Sequence, residues 1–224
     1  IMTPQQHYLL VLVIALIGLI CSGCLETNVD ADTFLRNVAE KQANIENLTY
    51  TEIFTFHIGE ETRTVEYDAT LKTPDKFRRI ERIGSIIRSE TVSNGDIVWI
   101  YDPEVNILFI RNSTPSEKIP EPSIYALLTD NITEKYIIED QDVGSLNSIS
   151  VRKVKLSPRE LDNEDMREYL IWIDSDSLIP LKLESYDKGN LMLTLEYQDY
   201  SINCITDDNE FTFAIPAGAS VVYA

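Results

Sequence analysis

The chain has 224 residues, with 37 Asp and Glu against 19 Lys and Arg, and its formal charge of −18 lies wholly outside the first 24 residues. That excess argues against nucleic acid, which needs Lys/Arg stripes to displace counterions, and against adsorption of the domain body to an anionic membrane; it suits solvation in a salty or extracellular setting. With Cys204 the only cysteine and His57 the only histidine in the body of the domain, neither an internal disulfide framework nor a His-rich zinc site is available there.

Residues 1–23 read as an export leader. Tyr8 to Ile20 is an unbroken apolar run, short for a bilayer span but suited to a secretory leader, although no Lys or Arg precedes it. Ser22 and Gly23 stand directly before Cys24. An uncleaved anchor running to about Leu25 is the alternative to cleavage at that cysteine, and either one tethers the domain outside the cytoplasm. Residues 24–31 form the tether, and one domain is expected over 32–224.

A helix is expected from Asp32, with Asp32 or Thr33 as its cap and Leu35, Val38, Ala39, Gln42 and Ile45 at helical spacing. The first strand, Leu48–Ile58, sets Leu48, Tyr50, Phe54, Phe56 and Ile58 on one face, and Glu52 interrupts it. Val65, Tyr67, Ala69 and Leu71 alternate strictly with polar residues in the next strand. Strands at Phe77–Ile83 and Ser85–Val92 flank Gly84, and Asn94-Gly95 marks another hairpin. Ile97–Tyr101 and Ile107–Ile110 are apolar on both faces, so a cover is expected over their second side. After a loop rich in Pro, Ser and Thr, a short helix carries Ile124, Leu127 and Leu128. Strands near 135–139 and 148–156 are expected to pair around Gly144. A three-strand meander over 167–200 follows, its last strand setting Leu191, Leu193, Leu195 and Tyr197 against polar neighbours.

Lys72-Thr73-Pro74-Asp75-Lys76-Phe77, then Asn94-Gly95-Asp96-Ile97-Val98-Trp99-Ile100-Tyr101-Asp102-Pro103, resemble in order and spacing the LolA/LolB-like lipoprotein carrier superfamily. Phe211-Thr212-Phe213 followed by Pro216 and Gly218 resembles the way these domains end, and Ser22-Gly23-Cys24 resembles a lipobox. The resemblance implies a mainly β (α+β) fold, a curved antiparallel sheet of about 10–11 strands forming an unclosed half-barrel, with the two helices over its concave face. It also implies lipidation at Cys24 and an apolar cavity for lipid or the acyl chains of a lipoprotein. Phe54, Phe56, Tyr67, Leu71, Trp99, Leu193 and Leu195 would line that cavity, with Leu35, Val38, Ile124, Leu127 and Leu128 on the lid. The same residues also suit a plain packed core between sheet and helices. The dedicated carriers have Arg immediately before the first Pro, where it helps hold the lid shut; Thr73 stands there in this chain.

A membrane anchor at Cys24 is closer to the family's receptor-type and surface lipoproteins than to its soluble shuttle. The alternative within the fold is a sensory or interaction module similar to the RseB-type regulators, with a protein partner at the cell surface. No nucleophile elbow, metal cluster or Gly-rich phosphate loop stands in the sequence, so neither catalysis nor a cofactor is expected. Asn47, Asn112 and Asn131 open glycosylation triplets. Asp174-Ser175-Asp176 and Asp207–Glu210 read as solvated turns rather than calcium loops.

Overall fold

Period-two alternation commits most of this chain to strands with one buried face, and twelve strands pair into a single sheet. The computed structural model describes residues 30–114, 124, 127–128, 132–159, 167–204 and 206–223. In the unit Ala31–Ala224, the strands are β1 Asn47–Ile58, β2 Glu61–Lys72, β3 Lys76–Ile83, β4 Ile86–Asn94, β5 Ile97–Asp102 and β6 Ile107–Asn112. They continue as β7 Tyr136–Leu146, β8 Ile149–Pro158, β9 Glu168–Asp174, β10 Pro180–Asp187, β11 Asn190–Ile202 and β12 Ser220–Tyr223. Among the described residues the α-helices are α1, Ala31–Ala43, and the single turn α2, Ile132–Lys135, and a 3₁₀ turn spans Asp208–Phe211. Ile124, Leu127 and Leu128 are also helical.

The spatial order is β12-β6-β5-β4-β3-β2-β1-β11-β10-β9-β8-β7, so β12 and β7 are open edges and the sheet does not close. Two meanders, β2 to β6 and β7 to β10, meet at the central pair β1 and β11. Partners directly opposite across a ladder share a face. Leu48, Tyr50, Glu52 and Phe54 of β1 therefore line one face with Leu71, Ala69, Tyr67 and Val65 of β2 and with Tyr197 and Leu195 of β11. This is the covered face. Phe34, Leu35 and Val38 of α1 pack on it together with Ile124, Leu128, Leu183, Ile171 and Val154.

The sheet has one strand more than the sequence reading, and it is mixed. Ser220-Val221-Val222-Tyr223, too short to declare itself by alternation, lies parallel to β6. Gly144 is not at a hairpin: it pairs with Val151 inside the β7–β8 ladder. Asn147 and Ser148 make that turn instead, both with positive φ (49° and 69°), a conformation short polar side chains adopt more readily than most. Against the second side of β5 lies the C-terminal segment, which includes a 3₁₀ turn at Asp208–Phe211. There Phe211 is fully buried and the Phe213 ring lies 5.7 Å from that of Tyr101. Lys72 and Lys76 hold this segment through Asp208, at 2.5 and 3.0 Å.

Gly95 answers to geometry on two counts. Its φ is +98°, and a Cβ there would meet the Asp75 carboxylate 2.8 Å away. Asn94 Oδ1 accepts from the backbone N–H groups of Asp96 and Ile97 to complete the bend. Gly95→Ala is expected to lower unfolding free energy by about 1–3 kcal/mol, measured as a drop in urea midpoint at unchanged slope.

Candidate functional site

The centre of the covered face holds a charge. Glu52, whose even-numbered neighbours in β1 are apolar, is 1 % exposed. A carboxylate taken out of water costs several kcal/mol unless hydrogen bonds and opposite charge replace it. Here the Tyr197 hydroxyl donates to Glu52 Oε1 at 2.8 Å, and an Arg79 Nη lies 3.5 Å from Oε2. β1 supplies the acid, β11 the phenol and β3 the guanidinium, each aimed inward by its strand's register.

Tyr197 also reaches the segment above the sheet. The backbone N–H of Ile124 donates to its hydroxyl at 3.1 Å, so one phenol joins the helical residues over the sheet to the buried acid. Burial first, then the charge of Glu52, pushes that hydroxyl well above its ordinary pKa, which keeps it a donor toward the carboxylate. The Tyr50 ring stands edge-on to it, with centroids 5.3 Å apart.

The residues expected to line a cavity divide into three groups. Leu71 and Leu195 are buried in the packed core, alongside Leu35, Val38, Ile124 and Leu128, with Leu127 partly buried against them. These seven lie together in one buried cluster. Trp99 belongs to the other face: it pairs with Val92, which pairs with Arg78, whereas the covered-face Arg79 pairs with Thr91. Since β5 is apolar on both faces, its pattern alone gave no means of choosing a side. Phe54, Phe56, Tyr67 and Leu193 stay together on the covered face and stay partly open. Phe56 is 40 % exposed and Ile58, at the strand's end, 58 %. The Phe54 ring stacks on Phe56 at 6.2 Å and meets Tyr67 edge-on at 5.6 Å.

These residues make an apolar shelf running from the packed centre to the β1–β2 turn. A separate groove of about 440 Å³ opens on the opposite face, lined by Thr51, Asp68, Thr70, Arg78, Asp199 and Glu210 among others. Its wall mixes these charged and hydroxyl side chains with Tyr50, Ala69 and Ile80. Cys24 and Asn131 lie outside the described residues. Asn112 is exposed at the end of β6, whereas Asn47 is half-buried at the start of β1. Asp174 spends its carboxylate on its own turn, accepting from Ser177 Oγ and from the backbone N–H of Asp176. His57 is hydrogen-bonded to Thr194. Among the described residues no three side chains gather to hold a metal, and no helix is long and apolar enough to cross a membrane.

Glu52 was visible in the sequence only as a break in an apolar stripe. Its partners were not, since Tyr197 and Arg79 come from strands 145 and 27 residues away. Tyr197→Phe keeps the ring and deletes the hydroxyl. It is expected to cost about 1–3 kcal/mol and to speed amide exchange at Ile124; unchanged stability and exchange would show the hydroxyl to be idle.

No family model matches the chain. An uncharacterised protein of Methanocaldococcus jannaschii is 22% identical over 221 residues, which is 97% of this chain and 61% of that protein. An outer-membrane lipoprotein carrier protein of Chromohalobacter salexigens is 24% identical, covering 73% of each. Among solved structures, a chain of the Pseudomonas aeruginosa MucA/MucB complex superposes with a TM-score of 0.52 at 14% identity, over 83% of this chain and 62% of its own length. An uncharacterised conserved protein of Thermus thermophilus gives 0.53 at 14% identity, over 84% and 98%. The chain thus spans about three-fifths of the archaeal relative and of the complex's chain. At these identities the two structures speak for the fold alone.

Proposed function

We infer that this chain, a LolA-like superfamily member similar to the lipoprotein carrier proteins, binds lipid or the acyl chains of a lipoprotein, for transfer or retention at the cell surface. The shelf of Phe54, Phe56, Ile58, Tyr67 and Leu193 carries this reading: the covered face packs tightly at its centre and leaves an aromatic strip open at its margin. Each methylene laid on such a strip and shielded from water contributes up to about 0.8 kcal/mol. Leu35, Val38, Ile124, Leu127 and Leu128 act as the cover that bounds the strip. The chain binds and does not catalyse.

Residues 1–23 are proposed as the leader and Cys24 as the lipidated residue, with 24–31 a tether and 32–224 the binding domain on the outer face of the cytoplasmic membrane. With Thr73 at the position before Pro74, the backbone N–H of Thr73 donates to Glu46 O, and the Tyr197–Ile124 bond adds a polar tie to the apolar packing of cover on sheet. Retention by an anchored protein suits this arrangement better than release from a soluble shuttle.

The domain from Leu25 onward is to be purified and its bound lipid identified by mass spectrometry, with displacement of a fluorescent acyl probe alongside. Saturable probe binding is expected, and Phe56→Asp is expected to weaken it at least tenfold while leaving the thermal midpoint within a few degrees. Lipid-free protein without saturable binding, together with one stoichiometric protein partner from detergent-solubilised membranes, would instead establish an interaction module of the same fold.

A further inference from the structure

Arg79 is underused. A guanidinium carries five N–H donors, yet one reaches an acceptor, Glu52 Oε2, at the long distance of 3.5 Å, and Nε is buried with no acceptor. Buried donors left unmatched are rare, because each forfeits its hydration. The side chain is nonetheless held in place: its Cζ sits 3.8 Å above the centroid of the Tyr67 ring, and it remains 31% exposed. Glu52 is turned inward and engaged by Tyr197, so it fixes one edge of the guanidinium. Glu81 lies on the same face, where it accepts from Ser89.

The same Tyr67 ring meets Phe54, and Phe54 stacks on Phe56. Arg79, Tyr67, Phe54 and Phe56 therefore form one continuous strip across β3, β2 and β1, with a cation at one end and bare aromatic surface at the other. We propose that this strip is a seat for an anionic amphiphile, in which Arg79 donates to the carboxylate or phosphate oxygens of the head and the acyl tail runs over Tyr67, Phe54 and Phe56. The assignment rests on the lipid-binding reading and adds to it the charge and orientation of the ligand. Planar, forked donors suit oxyanions in a way a lone ammonium does not. Cation–π contact orients the guanidinium flat on Tyr67 while leaving its edge free to donate. The nearby carboxylates of Glu52 and Glu81 offset part of the attraction, so the seat selects through hydrogen bonds more than through net charge.

The test compares three probes on the domain from Leu25 onward: a fluorescent polyene fatty acid, the corresponding alcohol of the same chain length, and a short-chain phosphatidic acid used as competitor. The fatty acid is expected to bind about tenfold tighter than the alcohol. In Arg79→Gln that preference is expected to vanish while alcohol binding persists. Should the loss of a partner for Glu52 unfold that variant, Arg79→Gln combined with Glu52→Gln removes both charges at nearly constant shape, with the same expectation. Displacement of the fatty acid by the phosphatidic acid would place phospholipid heads in the seat, and its failure would restrict the seat to carboxylates. Equal binding of acid and alcohol to the unaltered domain would overturn the headgroup seat and leave the apolar shelf standing. Absence of binding by either probe would overturn both.

Discussion

A carboxylate buried at the middle of an apolar sheet face is the constraint around which this domain is arranged. Three separate elements converge on Glu52 there. β11 brings Tyr197, β3 brings Arg79, and the segment at Ile124 closes over the phenol. Replacing such a cluster with fitted hydrocarbon often leaves a protein as stable or more so. What the ions and hydroxyl contribute instead is a fixed arrangement, because an apolar contact tolerates sliding and a hydrogen-bonded carboxylate does not. A shift of one residue in either β1 or β11 would carry Glu52 or Tyr197 to the opposite face.

That arrangement separates two regions of one face. Toward α1 the side chains interlock, and Leu35, Val38, Ile124, Leu156 and Ile171 are almost wholly shielded from water. Toward the β1–β2 turn the same alternation continues with no described helix above it, and Phe56 and Ile58 are left in contact with water. The boundary between them is the polar cluster itself. Open aromatic shelf and structural core are thus successive parts of a single stripe, continuous in sequence from Leu48 to Ile58.

Much of this was legible in the chain. The faces of β1, β2 and β11 follow directly from alternation, and α1 from its spacing of Leu35 and Val38. Hairpins at Gly59, Gly84 and Gly189 follow from glycines that need positive φ. Legibility ended where local pattern ran out. Trp99 sits in a strand apolar on both sides, and only the partner strands tell which side is which. Gly144 resembles a turn residue, but Asn147 and Ser148 take the left-handed conformation three residues later. Ser220–Tyr223 is a strand because β6 offers it an edge, and nothing within its four residues says so. The site was half visible: the aromatic shelf lies along one strand and its neighbours, whereas Glu52 finds its partners through contacts far apart in sequence.

The β1–β11 seam has a further consequence, for the order in which the chain folds. Hairpins such as β1–β2 and β3–β4 close loops of two residues, and each meander is a succession of antiparallel neighbours joined by loops of at most nine. The seam joins Glu52 to Tyr197 across 145 residues. Loop closure costs about 0.6 kcal/mol more for each doubling of length, so the seam carries about 2 kcal/mol more entropy loss than a contact ten residues apart. Local meanders therefore form ahead of the pairing that unites them, and contact order places this sheet among the slower folders. Until the seam closes, β1 presents an unpaired edge together with Phe54 and Phe56, which makes the half-formed sheet the state in which this protein is most exposed to aggregation.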